Sequence, residues 1–280
     1  MIAAKPLTPH IAAEITGIDL NDPIDAKTAA ELKRLWLEHV ILVFRGQKLD
    51  QESLLRVTGH FGTPAKLARP KAFHPPGYGN LLEGIMLISN IREGGVPIGS
   101  LPDGEMMFHH DMIHAANPDK GTCLFAVEIP SVGGNTCFAN CTTAYEKMPR
   151  DLRDRLEGRR AFHHYNYGET QRHGKNGVEA FSESTHPVFR THEETGRKAV
   201  YVNRLMTEQV VDMPKEESDA LLARVFDHSE NPDWVYEHVW QVGDLVIWDN
   251  RCSMHARTDF PAGERRLLLR TTMVGSGAPV

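Results

Sequence analysis

His109 and Asp111 stand two residues apart in Phe108-His109-His110-Asp111, and a further histidine, His255, follows in Trp248-Asp249-Asn250-Arg251-Cys252-Ser253-Met254-His255. Two imidazoles and one carboxylate can hold a divalent metal on one triangular face and leave the opposite face open to substrate and oxygen, the ligand set of non-haem Fe(II) oxygenases. Residues i and i+2 of a strand point to the same side, whereas a helix would set them roughly 200° apart. The pair therefore predicts a strand running through both His109 and Asp111. Because the third ligand comes from much further along the chain, the fold has to bring distant strands together, as a two-sheet jelly roll or a closed barrel does.

Arginines follow close behind His255. The segment Arg265–Val274 reads as a strand with Arg266, Leu268, Arg270 and Thr272 on one face and Leu267, Leu269, Thr271 and Met273 on the other. A guanidinium inside a sheet sandwich is costly unless an anion meets it. Since a guanidinium grips a carboxylate through two parallel hydrogen bonds, Arg266 and Arg270 are candidates for anchoring a dicarboxylate cosubstrate and an anionic substrate. Arg265, facing the other way, is read as a solvated neighbour.

With 15 histidines in the chain, an isolated H-x-D pair is weak evidence, and the order of the flanking motifs decides. The stretches Ala13-Glu14-Ile15-Thr16-Gly17-Ile18-Asp19-Leu20, Phe61-Gly62, Phe108-His109-His110-Asp111, Pro130-Ser131-Val132-Gly133-Gly134-Asn135-Thr136, Gly196-Arg197-Lys198, Tyr201-Val202-Asn203, Ile247-Trp248-Asp249-Asn250-Arg251 and the Arg265–Thr272 strand run in that order from one end of the chain to the other. In them the chain resembles the TauD/TfdA family of Fe(II)- and 2-oxoglutarate-dependent dioxygenases, which includes taurine dioxygenase and the aryloxyalkanoate dioxygenases. The resemblance implies a mainly β fold with flanking helices around a double-stranded β-helix (jelly roll) core. It makes His109, Asp111 and His255 the iron ligands, and Thr136 and Arg266 the residues on the distal carboxylate of 2-oxoglutarate. Arg270 is then placed beside the acidic group of the prime substrate.

The implied cosubstrates are 2-oxoglutarate and O2, with Fe(II) as the metal. The implied reaction is hydroxylation of a small anionic compound (a sulfonate, a sulfate ester, or a carboxylate or aryloxy acid) with succinate and CO2 as coproducts. Where the hydroxylated carbon bears oxygen, nitrogen or sulfur, cleavage of that bond can follow. Related halogenases carry a small residue at the carboxylate position, so Asp111 favours oxygen insertion. Taurine dioxygenase has a sulfonate-binding histidine a few residues after its Phe-Gly, but Phe61-Gly62 is followed here by Thr63-Pro64-Ala65-Lys66-Leu67-Ala68-Arg69. Met206 stands where that enzyme lines its pocket with phenylalanine, and a flexible apolar side chain there suits a bulkier or more apolar acid than taurine.

The elements that position these groups are legible locally. Asp25 can cap a helix from about Ala26 to His39, with Ala30, Leu32, Leu35, Trp36 and Leu37 as its apolar contacts, and Asp50 can cap a second helix toward Gly59. Val40–Phe44 reads as a buried strand, while Thr122–Ile129 and Thr136–Ala139 read as strands flanking a Gly133-Gly134 turn. Pro149 opens a helix through Leu152 and Leu156, and another runs through Leu221, Leu222 and Val225. Two polar or glycine-rich segments, Gly94–Gly104 and His163–Gly177, are candidate coverings of the site. His110 is expected to pack away from the metal, His114, His163 and His164 to be surface or hydrogen-bonded residues, and Trp248 to be a core aromatic beside the site.

At 280 residues and 41% hydrophobic, the chain can bury a large core, and a single domain over 1–280 is expected. A net charge of −6 gives no basic signature for nucleic acid, and no apolar run approaches the roughly 20 residues that span a bilayer. Without a signal-peptide core and with four cysteines in no CxxC spacing, a cytoplasmic protein with reduced thiols is expected. The family resemblance adds a homo-oligomer, dimer or tetramer. Two other classes share the ligand set: a Zn(II) hydrolase or lyase, against which Arg266 and Thr136 argue, and a jelly-roll sensor without turnover.

Overall fold

The structure, a computed structural model, describes residues 2–66, 81–101, 104–166 and 181–280. Its larger sheet has seven strands in the spatial order Ala3–Pro6, Ala13–Thr16, Ile41–Phe44, Leu245–Asp249, Gly121–Glu128, Leu267–Met273 and Met86–Ser89. Its smaller sheet has four, Val235–His238, Thr136–Asn140, Ser253–Arg257 and Met106–His109. Neighbours in both sheets are antiparallel, except that Ala13–Thr16 runs parallel to Ile41–Phe44. From Ile41–Phe44 to Met86–Ser89, and across the smaller sheet, chain-remote strands lie side by side, consistent with the expected double-stranded β-helix.

Period-two alternation in the larger sheet sorts its side chains onto two faces. Ile41, Val43, Leu124, Ala126, Val246, Trp248 and Leu268 belong to one core cluster with Phe138, Ala139 and Met254 of the smaller sheet. Leu42, Phe44, Cys123, Phe125, Leu245, Ile247 and Met273 belong to the other, with Leu32, Leu35, Trp36, Leu54, Val57 and Phe61 of two covering helices. Each buried Leu, Ile, Val, Phe or Met among them contributes about 1.5–3 kcal/mol. On the last strand, Leu268 faces inward and Met273 outward, the alternation that also turns Arg270 toward the space between the sheets.

The covering helices form where their caps stand. Asp25 accepts from Thr28 N at 2.7 Å and opens Ala26–His39, and Asp50 accepts from Ser53 N at 2.8 Å and opens Gln51–Phe61. Leu32, Leu35 and Trp36 are buried as expected, but Ala30 is exposed, outside the apolar stripe. Val40 is not part of the strand that follows: with φ of 66° it turns the chain out of the helix, and its carbonyl accepts from Asp249 N. Arg150–Leu156 and Lys215–Ser229 are the other two predicted helices.

Of the two candidate coverings, segment 94–104 carries a short hairpin of Arg92–Glu93 with Val96–Pro97, and its residues 102–103 lie outside the described ones. The second begins as a strand rather than a loop: Arg160–Asn166 pairs with Phe181–Pro187 and Thr207–Val210, and 167–180 lie outside the described residues. Among the described residues no helix is long and apolar enough to cross a membrane.

Gly121 starts the strand Gly121–Glu128 with no room for a side chain: a Cβ there would sit 2.8 Å from both Trp248 O and the Trp36 ring. Gly121→Ala is therefore expected to lower the unfolding free energy by about 1–3 kcal/mol, measured by urea denaturation; an unchanged midpoint would show that the helix–sheet contact gives way freely.

Candidate active site

His109 and His255 are brought together by strand register. They are direct partners across the antiparallel pair Met106–His109 and Ser253–Arg257, with ring centroids 4.2 Å apart. Asp111 completes the group: its Oδ1 lies 3.9 Å from Nε2 of each histidine, and one ligand atom from each of the three lies within 4.8 Å of the others. The expected strand, however, ends at His109. Asp111 projects from the turn that follows, and Met112 beyond it has φ of 57°, a left-handed conformation that no strand accommodates.

The donor atoms suit a divalent metal. Burial pushes His109 below its ordinary pKa and His255 down to about 3, so both imidazoles are neutral at pH 7. Nδ1 of His109 donates to Met107 O at 2.9 Å, which leaves Nε2 with a lone pair facing Asp111. Burial works against the charge on Asp111, but Arg270 beside it prevails and holds the carboxyl well below the usual range. Arg270 Nη2 and Thr122 Oγ1 both donate to Oδ2, at 2.7 and 2.9 Å, while Oδ1 is the oxygen turned toward the histidines.

Anion chemistry gathers around the same face. Arg266 is 1% exposed, donates through Nη2 to Gly134 O at 3.1 Å, and leaves Nε and Nη1 buried without a partner. Burial first, and the charge of Arg257 second, push its pKa down to about 9. A buried guanidinium with two idle donors calls for an incoming carboxylate. Gly133 and Gly134, with φ of 74° and 65°, make the turn that lets the chain pass this close: a Cβ on Gly134 would stand 3.2 Å from Arg266 Nε. Thr136 opens the strand after that turn and accepts from Trp240 Nε1 at 3.0 Å, so its own hydroxyl proton remains to be donated.

The profile of the family "Taurine catabolism dioxygenase TauD, TfdA family" matches residues 3–272. The chain belongs to the TauD/TfdA family. It is 32% identical to the alpha-ketoglutarate-dependent 2,4-dichlorophenoxyacetate dioxygenase of Cupriavidus pinatubonensis, covering 97% of each chain. It is also 32% identical to the pentalenolactone F synthase of Streptomyces avermitilis, over 94% of this chain and 91% of that one. Among solved structures, a putative alpha-ketoglutarate-dependent taurine dioxygenase from Burkholderia xenovorans superposes with a TM-score of 0.83 at 30% identity, covering all of this chain and 94% of the other.

Sequence reasoning missed several residues of this TauD/TfdA site. Thr122, Asn250 and Trp240 are hydrogen-bonded to Asp111 or Thr136. Arg257 lies two residues beyond His255 in the same strand, directly opposite Thr136. Only for Arg257 was there a local signal, the i+2 spacing from a ligand. Met206 is buried with Ile113 and Tyr201, and Tyr165 and Leu205 pack against them. His110 is turned away from the triad as expected, toward Cys141 Sγ and Asn203. His114 and His163 are buried, and His163 is hydrogen-bonded, as expected, to Thr207 Oγ1 at 3.0 Å. Arg265 is exposed and pairs with Glu128. Trp248 is buried, its ring 4.8 Å from that of His255. Of the departures after Gly62, Leu67-Ala68-Arg69 lie outside the described residues.

His192, Asp249 and Cys252 form a second buried group with metal-ligand chemistry. Its carboxylate is already taken: Arg251 grips Asp249 through Nε and Nη2 at 2.9 and 2.6 Å, and His192 meets it at 3.0 Å. A guanidinium so placed repels a second cation, and the group reads as a structural ion cluster.

Two outcomes follow from this geometry. Asp111→Ala is expected to lose Fe(II) binding, followed by anaerobic calorimetry, with its circular dichroism spectrum unchanged; wild-type affinity in the variant would remove Asp111 from the ligand set. Affinity of the Mn(II)-loaded protein for 2-oxoglutarate is expected to be level near neutral pH and to fall once the pH passes about 9. The charged form of Arg266 binds the anion, so above its depressed pKa binding must take up a proton and weakens by up to about tenfold per pH unit. Calorimetry in buffers of different ionisation enthalpy reads that proton.

Proposed function

We propose that the protein is an Fe(II)- and 2-oxoglutarate-dependent dioxygenase that hydroxylates a small anionic organic compound, a sulfonate, a sulfate ester or a carboxylate such as an aryloxy acid. The observation that carries this reading is the pairing of a His-Asp-His triad with two inward-facing arginines, Arg266 and Arg270, whose guanidinium groups retain buried N–H donors without partners. A Zn(II) hydrolase needs the triad but has no use for Arg266. The chain acts as one catalytic unit, a view supported by strands from both its ends, Ala3–Pro6 and Leu267–Met273, sharing one sheet.

His109, Asp111 and His255 would hold Fe(II), which with 2-oxoglutarate and O2 supplies decarboxylation of the keto acid to succinate and CO2 and transfer of one oxygen atom into a substrate C–H bond. Everything else is positioning and electrostatics. Arg266 and Thr136 bind the far carboxylate of 2-oxoglutarate, the guanidinium through its idle N–H groups and the threonine through the proton that Trp240 leaves free. Arg270 spends one N–H on Asp111 Oδ2 and keeps Nε for the acidic group of the substrate. The apolar part of the substrate would rest against Met206, a flexible side chain that suits a larger body than taurine. Hydroxylation at a carbon bearing oxygen, nitrogen or sulfur gives an unstable product, and the bond to that atom then breaks.

Anaerobic addition of Fe(II) and 2-oxoglutarate is expected to produce a visible charge-transfer band, and admission of air with a panel of sulfonates, sulfate esters and aryloxy acids to release succinate in a substrate-stimulated burst. No band points to the hydrolase; a band without succinate points to a sensor. In steady state, Arg266→Ala is expected to raise the KM for 2-oxoglutarate and Arg270→Ala that for the acidic substrate, each by about 10–100-fold. If both variants move the same parameter equally, the division of roles between the two arginines is wrong.

A further inference from the structure

Asp111 differs from the other two candidate ligands in what holds its backbone. His109 and His255 are fixed by ladder pairing with each other and, for His255, with Phe138. Asp111 lies beyond the end of its strand, next to a residue with positive φ, a conformation that costs about 1–2 kcal/mol for a non-glycine residue. Yet its two peptide groups are paired, both with one side chain. Asp111 N donates to Asn250 Oδ1 at 2.8 Å, and Asn250 Nδ2 donates to Asp111 O at 2.7 Å. The second Nδ2 hydrogen goes to Asp119 O at 3.0 Å, at the far end of the same loop.

The orientation of this carboxamide is unambiguous, because an N–H can meet only its oxygen and two carbonyls can meet only its nitrogen. Asn250 is fully buried and is itself firmly seated. Its N–H donates to Lys120 O at 3.1 Å. The turn that carries it is closed by Asp249, which accepts from Arg251 N at 3.0 Å and grips the Arg251 guanidinium, and whose carbonyl accepts from Ser253 Oγ at 2.7 Å. Five residues on is His255, so one short segment both supplies one ligand and ties down the backbone of another.

We propose that Asn250 is a positioning residue for the carboxylate ligand: its carboxamide stands in for the peptide of a neighbouring strand, pairing the N–H and C=O of Asp111 and so building the triad before metal arrives. Without it, the metal would have to order the turn at Asp111 on binding and would bind more weakly by that cost. The proposal rests on reading His109, Asp111 and His255 as the metal ligands. Its chemistry is specific to an amide at this position, since alanine pairs neither group.

The test is a Co(II) titration of the metal-free protein without oxygen, followed by calorimetry and by the d–d absorption bands, on wild type, Asn250→Ala and Asp111→Ala. Asn250→Ala is expected to raise the Co(II) Kd about 10- to 100-fold, with d–d bands altered as solvent competes with Asp111. At saturating Co(II), its affinity for 2-oxoglutarate should stay within about threefold of wild type, a split that general loosening of the fold would not give. A Co(II) Kd within about twofold of wild type overturns the proposal while leaving the triad intact, provided Asp111→Ala has lost the metal; retention of metal by Asp111→Ala overturns the triad reading itself. Should Asn250→Ala not fold, hydrogen exchange on metal-free wild type decides. The Asp111 amide is expected to be protected as well as the ladder amides of Ser253–Arg257, and exchange at the rate of an open loop overturns the proposal.

Discussion

Two histidines facing each other across adjacent antiparallel strands set the position of everything else at this site. The pairing of His109 with His255 fixes their ring separation through backbone hydrogen bonds, which no side-chain rotation can undo. A metal held between them must then lie at the open end of the smaller sheet, where the strand carrying His109 stops and the chain turns. A continued strand would hold Asp111 in the same plane of pairing as its neighbours; the turn instead swings its carboxylate to within 3.9 Å of both imidazoles.

Charge is divided between the sheets. The smaller sheet and its turn hold the neutral donors and one carboxylate, and the last strand of the larger sheet delivers Arg270, with Arg266 just ahead of it. The two arginines are not equivalent. Arg270 is committed to Asp111 through Oδ2, which stabilises the ionised carboxylate and leaves Oδ1 to face the histidines. Among the described residues the Arg266 guanidinium has one hydrogen-bond partner, the neutral Gly134 carbonyl, and burial together with the nearby charge of Arg257 lowers its pKa. A buried charge left without an anion is costly, and the proposed binding of a dicarboxylate at Arg266 would relieve that cost.

What could be read from the sequence was local, or carried by residue type. The caps at Asp25 and Asp50, the alternation along Arg265–Val274, and the identity of the triad all depend on residues within a few positions or on chemistry that few side chains can perform. The turn at Asp111 was not legible, because its backbone partner, Asn250, is 139 residues away and was read only as part of a motif. Trp240 and Thr122 were missed for the same reason, since strand register, not spacing along the chain, places them against Thr136 and Asp111. His163 misled in the opposite direction: a polar stretch reads as loop, yet His163 is buried in a strand, its ring 5.6 Å from that of His186.

The ion cluster at Asp249 shows how the same side-chain chemistry is separated into structure and site. His192, Asp249 and Cys252 match a metal triad by type, and Asp249 sits six residues from His255 in the chain. At Asp111 the guanidinium of Arg270 occupies one carboxylate oxygen and leaves the other facing Nε2 of both imidazoles. At Asp249, Arg251 occupies both oxygens and His192 shares one of them. Saturation of the second carboxylate makes its turn rigid, and that rigidity is what Asn250 passes on, since the residue between Asp249 and Arg251 can hold the Asp111 backbone only if its own position is fixed. The ion cluster at Asp249 thereby supports the triad, through a single carboxamide between them.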